Sequence, residues 1–170
     1  MPLLHPGDTF PQLSLKIPGG QAIGVPGSLA GAFGVVLFNR GAWCPYCTAQ
    51  LRAFQRAGES LVQAGVRVAA LWVDDEQTTA GFTAKYGLTF PLGHSADARA
   101  VAGLTGAFVN EDPLYLQSTG FVLDPQGKVI VSVYSSGAIG RLVPDDVIGL
   151  VRYLREHAAA PSRRRWDRVP

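Results

Sequence analysis

Cys44 and Cys47 are the two cysteines in a chain of 170 residues, and only two residues separate them. A bridge closing so short a loop constrains little of the unfolded chain, so the pair is not a structural staple. The spacing suits a different chemistry. Residues three apart share one face of a helix, so two thiols placed this way can oxidise to a disulfide and be reduced again. Metal binding fits less well. A structural zinc takes four ligands, and His5, His94 and His157 have no paired spacing. Two alternatives stay open at this point: a buried pair of small hydrophobes, and an iron–sulfur cluster bridging two copies of the chain.

An ordinary thiol, with a pKa of about 8.5, is only a few per cent ionised at neutral pH, so a reactive cysteine needs help. The flanking sequence supplies it. Gly34–Arg40 is a short apolar run of β-formers and reads as a buried central strand. Leu51, Phe54, Leu61 and Val62 then fall near helical spacing, which predicts one helix from Cys44 or Pro45 to Ala64, stopped at Gly65. Cys44 therefore belongs at the head of a helix, where free N–H groups and the helix dipole favour a thiolate. Pro45 suits the first helical turn, since its missing N–H would have had no partner there. Arg40, at the strand end, adds a positive charge. Of the two sulfurs, Cys44 is expected to be the more ionised and the more exposed. That makes it the attacking thiol in thiol–disulfide exchange.

The other elements follow from period and punctuation. Val66–Val73 is a second strand closed by Asp74-Asp75, and strand, helix, strand make a βαβ unit with parallel pairing. Thr78–Tyr86 is a helix packing Phe82 and Tyr86, and Ala96–Leu104 a weaker one. Gly120–Asp124 and Lys128–Tyr134 flank Pro125-Gln126-Gly127 as an antiparallel hairpin. Pro144 begins a last helix whose buried stripe is Val147, Leu150, Val151 and Leu154. Residues 1–33 form an arm or hairpin with apolar pieces at Phe10–Ile17 and Gln21–Val25, ending in a turn at Pro26–Leu29. The predicted fold class is α/β: a thioredoxin-like three-layer fold with a central mixed sheet, a βαβ unit, a late hairpin and a closing helix. It occupies residues 1–160 as one domain, followed by a basic tail at 161–170.

Composition narrows the field further. Hydrophobic residues make up 47% and charged residues 16%, too apolar a balance for disorder. Fifteen basic and thirteen acidic residues give +2, but the tail from Ser162 carries four arginines against one aspartate, which leaves −1 for the rest. That body lacks the one-sign field of a nucleic-acid binder. Met1–Phe10 does not read as a signal peptide, and no apolar run is long enough to cross a membrane. A cytoplasmic location is the expectation, and there a C-x-x-C pair stays largely reduced. Gly19-Gly20 and Gly137–Gly140 contain no phosphate-cradling pattern, so no nucleotide or other cofactor is implied. His94 reads as a loop residue, and Asp74 and Asp75 as strand-end caps.

Several stretches in order resemble the AhpC/TSA, peroxiredoxin-like branch of the thioredoxin superfamily. They are Pro6–Pro11 (PGDTFP), Gly41–Cys47 (GAWCPYC), Asp74-Asp75 with Phe82, Lys85–Gly87 and Phe90-Pro91-Leu92, Phe121–Gly127 (FVLDPQG), and Gly140-Arg141 with the last helix. Trp43-Cys44-Pro45-Tyr46-Cys47 is also similar to the W-C-x-x-C of thioredoxins, and Cys-Pro-Tyr-Cys to the glutaredoxin active-site string. The two frames nominate different sulfurs. The peroxiredoxin frame puts Cys47 in the peroxidatic position, Cys44 where a threonine belongs and Arg40 where a proline belongs, with Gln50 matching one branch. The thioredoxin frame makes Cys44 the attacker and Cys47 the resolving thiol. The late arginine of peroxiredoxins is absent near Ser118, and Arg141 or Arg40 would substitute for it.

The resemblance implies a thiol peroxidase acting on hydrogen peroxide or organic hydroperoxides through a sulfenic acid and a Cys44–Cys47 disulfide. A thioredoxin-like or glutaredoxin-like protein, or glutathione, would be the reductant, and a homodimer is compatible with it. Trp43 and Tyr46 would shape the site. Two other classes remain beside it: a thiol–disulfide oxidoreductase without useful peroxidase activity, and a non-catalytic interaction module or cluster carrier.

Overall fold

The computed structural model describes residues 3–158, so the basic tail at 161–170 lies outside the described residues. The leading segment is an antiparallel hairpin of β1 (Leu13–Ile17) and β2 (Gln21–Val25), followed by a single 3-10 turn at Gly27–Leu29. Next come β3 (Phe33–Phe38), α1 (Pro45–Arg56), α2 (Gly58–Ala64) and β4 (Val66–Leu71). The chain continues through α3 (Glu76–Tyr86), the short β5 (Leu92–Gly93) and α4 (Ala98–Thr105). A second small hairpin, β6 (Val109–Glu111) and β7 (Leu114–Leu116), precedes β8 (Thr119–Leu123), β9 (Val129–Tyr134) and α5 (Pro144–His157).

Five strands form the central sheet in the order β5-β4-β3-β8-β9. The first three run parallel, whereas β8 lies antiparallel to β3 and β9 antiparallel to β8. The continuous apolar run of β3 is explained by burial on both faces. Val35 and Leu37 face a core filled by Leu51 and Phe54 of α1, Leu61 of α2, Phe82 of α3 and Val147, Ile148 and Val151 of α5. Val36 and Phe38 face the opposite core, built with Leu13 and Leu15 of β1, Val25 of β2, Val101 of α4 and Leu116 of β7. The two cores sandwich the sheet, and the fold is the thioredoxin-like α/β arrangement with a mixed sheet and a closing helix. Among the described residues no helix is long and apolar enough to cross a membrane.

Three of the differences from expectation concern the helices. The helix after β3 is broken at Ala57, whose backbone caps a separate α2 beginning at Gly58; a glycine there costs helical stability that no periodicity reveals. α3 starts at Glu76, because the Asp75 carboxylate accepts the Thr78 N–H at 2.8 Å and fixes the cap. On α5, Val147 and Val151 are buried as expected, but Ile148 joins them while Leu150 and Leu154 stay half-buried.

One glycine is needed for a close approach that positions the site. Gly120 pairs with Leu37 across the β3–β8 ladder, and a Cβ there would lie 2.7 Å from the Leu142 side chain. The segment leading into α5 thus rests directly on β8, and Arg141 precedes Leu142 in it. Gly120→Ala is expected to destabilise the fold by about 1–3 kcal/mol through overpacking, read as a lower denaturant midpoint. It should also reduce the reactivity of the thiols by moving Arg141.

Candidate active site

The site forms where β3 ends and α1 begins. Cys44 is the N-cap of α1 in an extended conformation, with Pro45 in the first turn and Cys47 within it. The Cys44 N–H donates to the Gly41 carbonyl at 3.1 Å, closing the turn. Gly41 has φ +151°, and a Cβ on it would run into the Trp43 indole, so the turn demands glycine. Both thiols are free. Neither has exposed surface, each being 0% accessible, which corrects the expectation of an exposed Cys44. Side chains from outside the helix cover it.

Two of those side chains are arginines. The Arg40 backbone N–H donates to Cys47 Sγ at 3.2 Å, and its Nη1 approaches Cys44 Sγ at 3.8 Å. Arg141 Nη2 reaches Cys47 Sγ at 3.3 Å and Cys44 Sγ at 3.7 Å. Gln50 holds this second guanidinium in place. Its Oε1 accepts from Arg141 Nη1 and from Asn39 Nδ2, each at 3.2 Å, while its Nε2 donates to the Leu142 carbonyl at 3.0 Å. Arg141 Nε donates to the Ala138 carbonyl at 3.0 Å. Among the described residues neither guanidinium meets a carboxylate. Their charge is left for the sulfurs.

The environment splits the two thiols. Burial pushes Cys44 up, but the Cys47 N–H and thiol, the charge of Arg141 and the Tyr46 N–H outweigh it, and the net shift is downward. Burial dominates at Cys47 and leaves its thiol raised, although Arg141 and the Arg40 N–H pull the other way. A thiolate on Cys44 that accepts a hydrogen bond from a neutral Cys47 is the arrangement these opposite shifts describe. Arg141 therefore outranks Arg40 as the charge acting on both sulfurs.

The remaining predicted residues lie around this centre. Tyr46 is half exposed beside it, and Trp43 is 56% exposed with its ring against Arg40, at 4.9 Å from the guanidinium carbon. Asp74 is more than a strand-end residue: its Oδ2 accepts the Ala42 N–H at 2.7 Å and ties the Gly41–Trp43 loop to the end of β4. Burial raises its carboxyl above the usual range, opposed by the Ala42 hydrogen bond. His94 is not a free loop residue; it is buried, bridged to Lys16 of β1, and its Nδ1 lies 3.0 Å from Ser95 Oγ. It takes no part in the thiol site.

Two participants escaped sequence reasoning. Asn39 is fully buried, and its one signal was a polar residue ending an apolar strand. Tyr115 of β7 accepts a hydrogen bond from Arg40 Nη2 at 2.9 Å and packs edge-on against Trp43, with ring centroids 5.1 Å apart. No local pattern marks it. Gln50 is the connection most open to test. Gln50→Leu leaves Arg141 Nη1, Asn39 Nδ2 and the Leu142 carbonyl without this partner. It should cost about 1–3 kcal/mol in chemical denaturation and slow oxidation of the thiols about tenfold in stopped-flow measurements.

Comparison with known proteins identifies the family. The AhpC/TSA family profile matches residues 6–132. A Mycobacterium tuberculosis protein bearing a peroxiredoxin name is 32% identical, over 82% of this chain and 90% of its own length. A peroxiredoxin of Chlorobaculum tepidum is 28% identical over 91% of this chain and 74% of its own. Among solved structures, Mycobacterium tuberculosis AhpC superposes with a TM-score of 0.75 at 21% identity, covering 93% of this chain and 97% of that one. The peroxidoxin BcpB from the same organism gives 0.76 at 21% identity, covering 89% and 99%. With a thioredoxin-like fold, a free dithiol at the head of its first long helix and a family match over most of its length, the chain belongs to the AhpC/TSA family of redox-active thiol enzymes.

Proposed function

We propose that the protein is a thiol peroxidase that reduces hydrogen peroxide or organic hydroperoxides with Cys44 as the attacking thiol and Cys47 as the resolving one. The observation that carries this reading is the polarised pair itself. Cys44 is shifted toward thiolate and Cys47 toward thiol, beside two arginines that meet no carboxylate among the described residues. The Cys44 thiolate attacks the terminal oxygen of the hydroperoxide. The O–O bond breaks, the departing oxygen takes a proton and leaves as alcohol or water, and Cys44 becomes a sulfenic acid. Arg141 and Arg40 stabilise the charge that develops on that oxygen, the task for which the family uses an arginine absent near Ser118. Cys47 then attacks the Cys44 sulfur, forming the Cys44–Cys47 disulfide and releasing water. Two thiols of a thioredoxin-like or glutaredoxin-like protein, or of glutathione, return the pair to the dithiol and become a disulfide themselves.

One observation favours the mirror assignment. Cys47 Sγ has the shorter contacts to the two arginines, to the Arg40 N–H at 3.2 Å and Arg141 Nη2 at 3.3 Å. The thiol–disulfide oxidoreductase reading uses the same pair without a peroxide. Turnover separates the classes. Peroxide consumption driven by a dithiol reductant, with slow reduction of insulin disulfides, supports the peroxidase. Rapid insulin reduction without peroxide turnover overturns it in favour of the oxidoreductase.

A further inference from the structure

We infer that Tyr115 is a positioning residue for the chemistry of Cys44, acting through Arg40. The guanidinium of Arg40 lies against two aromatic rings, with Cζ 4.9 Å from the centroid of Trp43 and 5.2 Å from that of Tyr115. Those rings meet edge-to-face. Stacking fixes the guanidinium's location, but leaves it free to turn within its own plane. The Tyr115 hydroxyl removes that freedom. It accepts from Nη2 at 2.9 Å, which directs Nη1 at Cys44 Sγ. Arg40 has no carboxylate partner among the described residues, and its Nε is buried without a hydrogen-bond partner. Among the described residues the tyrosine is therefore the one side-chain oxygen that orients the group. It is itself buried on β7, within a hairpin that spans only Val109–Leu116. That hairpin becomes a wall of the site.

The inference rests on the proposed role of Cys44. The charged and titratable groups that face this sulfur are Arg40 from the end of β3, Arg141 from the segment before α5, and Cys47 from α1. Tyr115 meets it only through Arg40, and Asp74 reaches the loop only through the Ala42 N–H.

Tyr115→Phe keeps the ring and its packing on Trp43 and removes the hydroxyl alone. The expected result is an about fivefold lower rate constant for peroxide oxidation of the thiols, less than the full worth of one hydrogen bond to a charged group because Tyr115 acts only through Arg40. The midpoint of Cys44 alkylation against pH should move upward with it. In an Arg40→Met background the same substitution should change neither quantity further, because the residue it acts through is gone. A wild-type rate and midpoint in Tyr115→Phe overturns the inference. So does an equal loss in the Arg40→Met background, which would make the effect structural. The alkylation midpoint reads Tyr115's influence whichever sulfur meets the peroxide. A Cys44→Ser protein that still turns over peroxide at the wild-type rate would therefore refute the attack assignment while leaving the Tyr115–Arg40 link measurable.

Discussion

Cys44→Ser is expected to lower peroxide turnover about a thousandfold or more, because the hydroxyl that replaces the thiol cannot ionise or attack at neutral pH. Cys47→Ser should behave differently. The first oxidation continues, since the attacking sulfur keeps the Cys47 N–H, the Tyr46 N–H and the charge of Arg141. The serine hydroxyl also donates in place of the Cys47 thiol, so that step should stay within about threefold of wild type. What the variant cannot do is close the disulfide, so steady turnover with a protein dithiol should collapse. Its sulfenic acid would persist and advance to sulfinic acid under excess peroxide. Stopped-flow oxidation and steady-state consumption, measured on both variants, separate the two roles. A serine at either position that leaves turnover untouched contradicts the catalytic reading of the pair.

Arg141→Met should slow oxidation of the thiols about a hundredfold at neutral pH, in line with removal of a preorganised donor from a developing oxyanion. Two effects combine in it. The Arg141 charge helps hold the Cys44 pKa below its ordinary value, so its removal raises that pKa. The thiolate exists above the folded pKa and is lost as pH falls through it, so the variant's rate profile shifts to higher pH. The second effect is loss of the donor to the departing oxygen, which no pH restores. The gap between variant and wild type should therefore narrow as the pH rises past the variant's Cys44 pKa, then stop narrowing. Full recovery at high pH would limit Arg141 to tuning the thiol. Arg141→Lys keeps the charge but cannot reach the sulfurs and Gln50 together, so it should fall between the two.

Much of this site was legible because its chemistry depends on local geometry. The C-x-x-C spacing, Pro45 in the first turn and an apolar run ending at Arg40 all lie within a few residues. A strand-to-helix junction follows from that order alone. The position of Arg141 could be suspected from its segment, but not its contact with both sulfurs, 94 and 97 residues away. That contact depends on Gly120 letting Leu142 settle on β8 and on Gln50 holding the guanidinium. Tyr115 was beyond reach for the same reason, since the hairpin that carries it has only three residues per strand and no alternation long enough to read. The burial of Cys44 was missed because a helix N-terminus argues for ionisation. It says nothing of what tertiary neighbours lay over it. The one-helix expectation for 44–64 failed because Leu51, Phe54 and Leu61 keep their periodic burial across the break at Ala57.

The attacking sulfur is identified most directly by trapping the first product. Wild-type protein, Cys44→Ser and Cys47→Ser are each reduced, treated with one equivalent of peroxide and quenched with a sulfenic-acid reagent, and the labelled cysteine is identified by peptide mass mapping. Attack by Cys44 gives label on Cys44 in Cys47→Ser, a Cys44–Cys47 disulfide in the wild type, and no comparably fast labelling of Cys47 in Cys44→Ser. Label forming rapidly on Cys47 in Cys44→Ser, with none on Cys44 in Cys47→Ser, would contradict it and make Cys47 the attacking thiol.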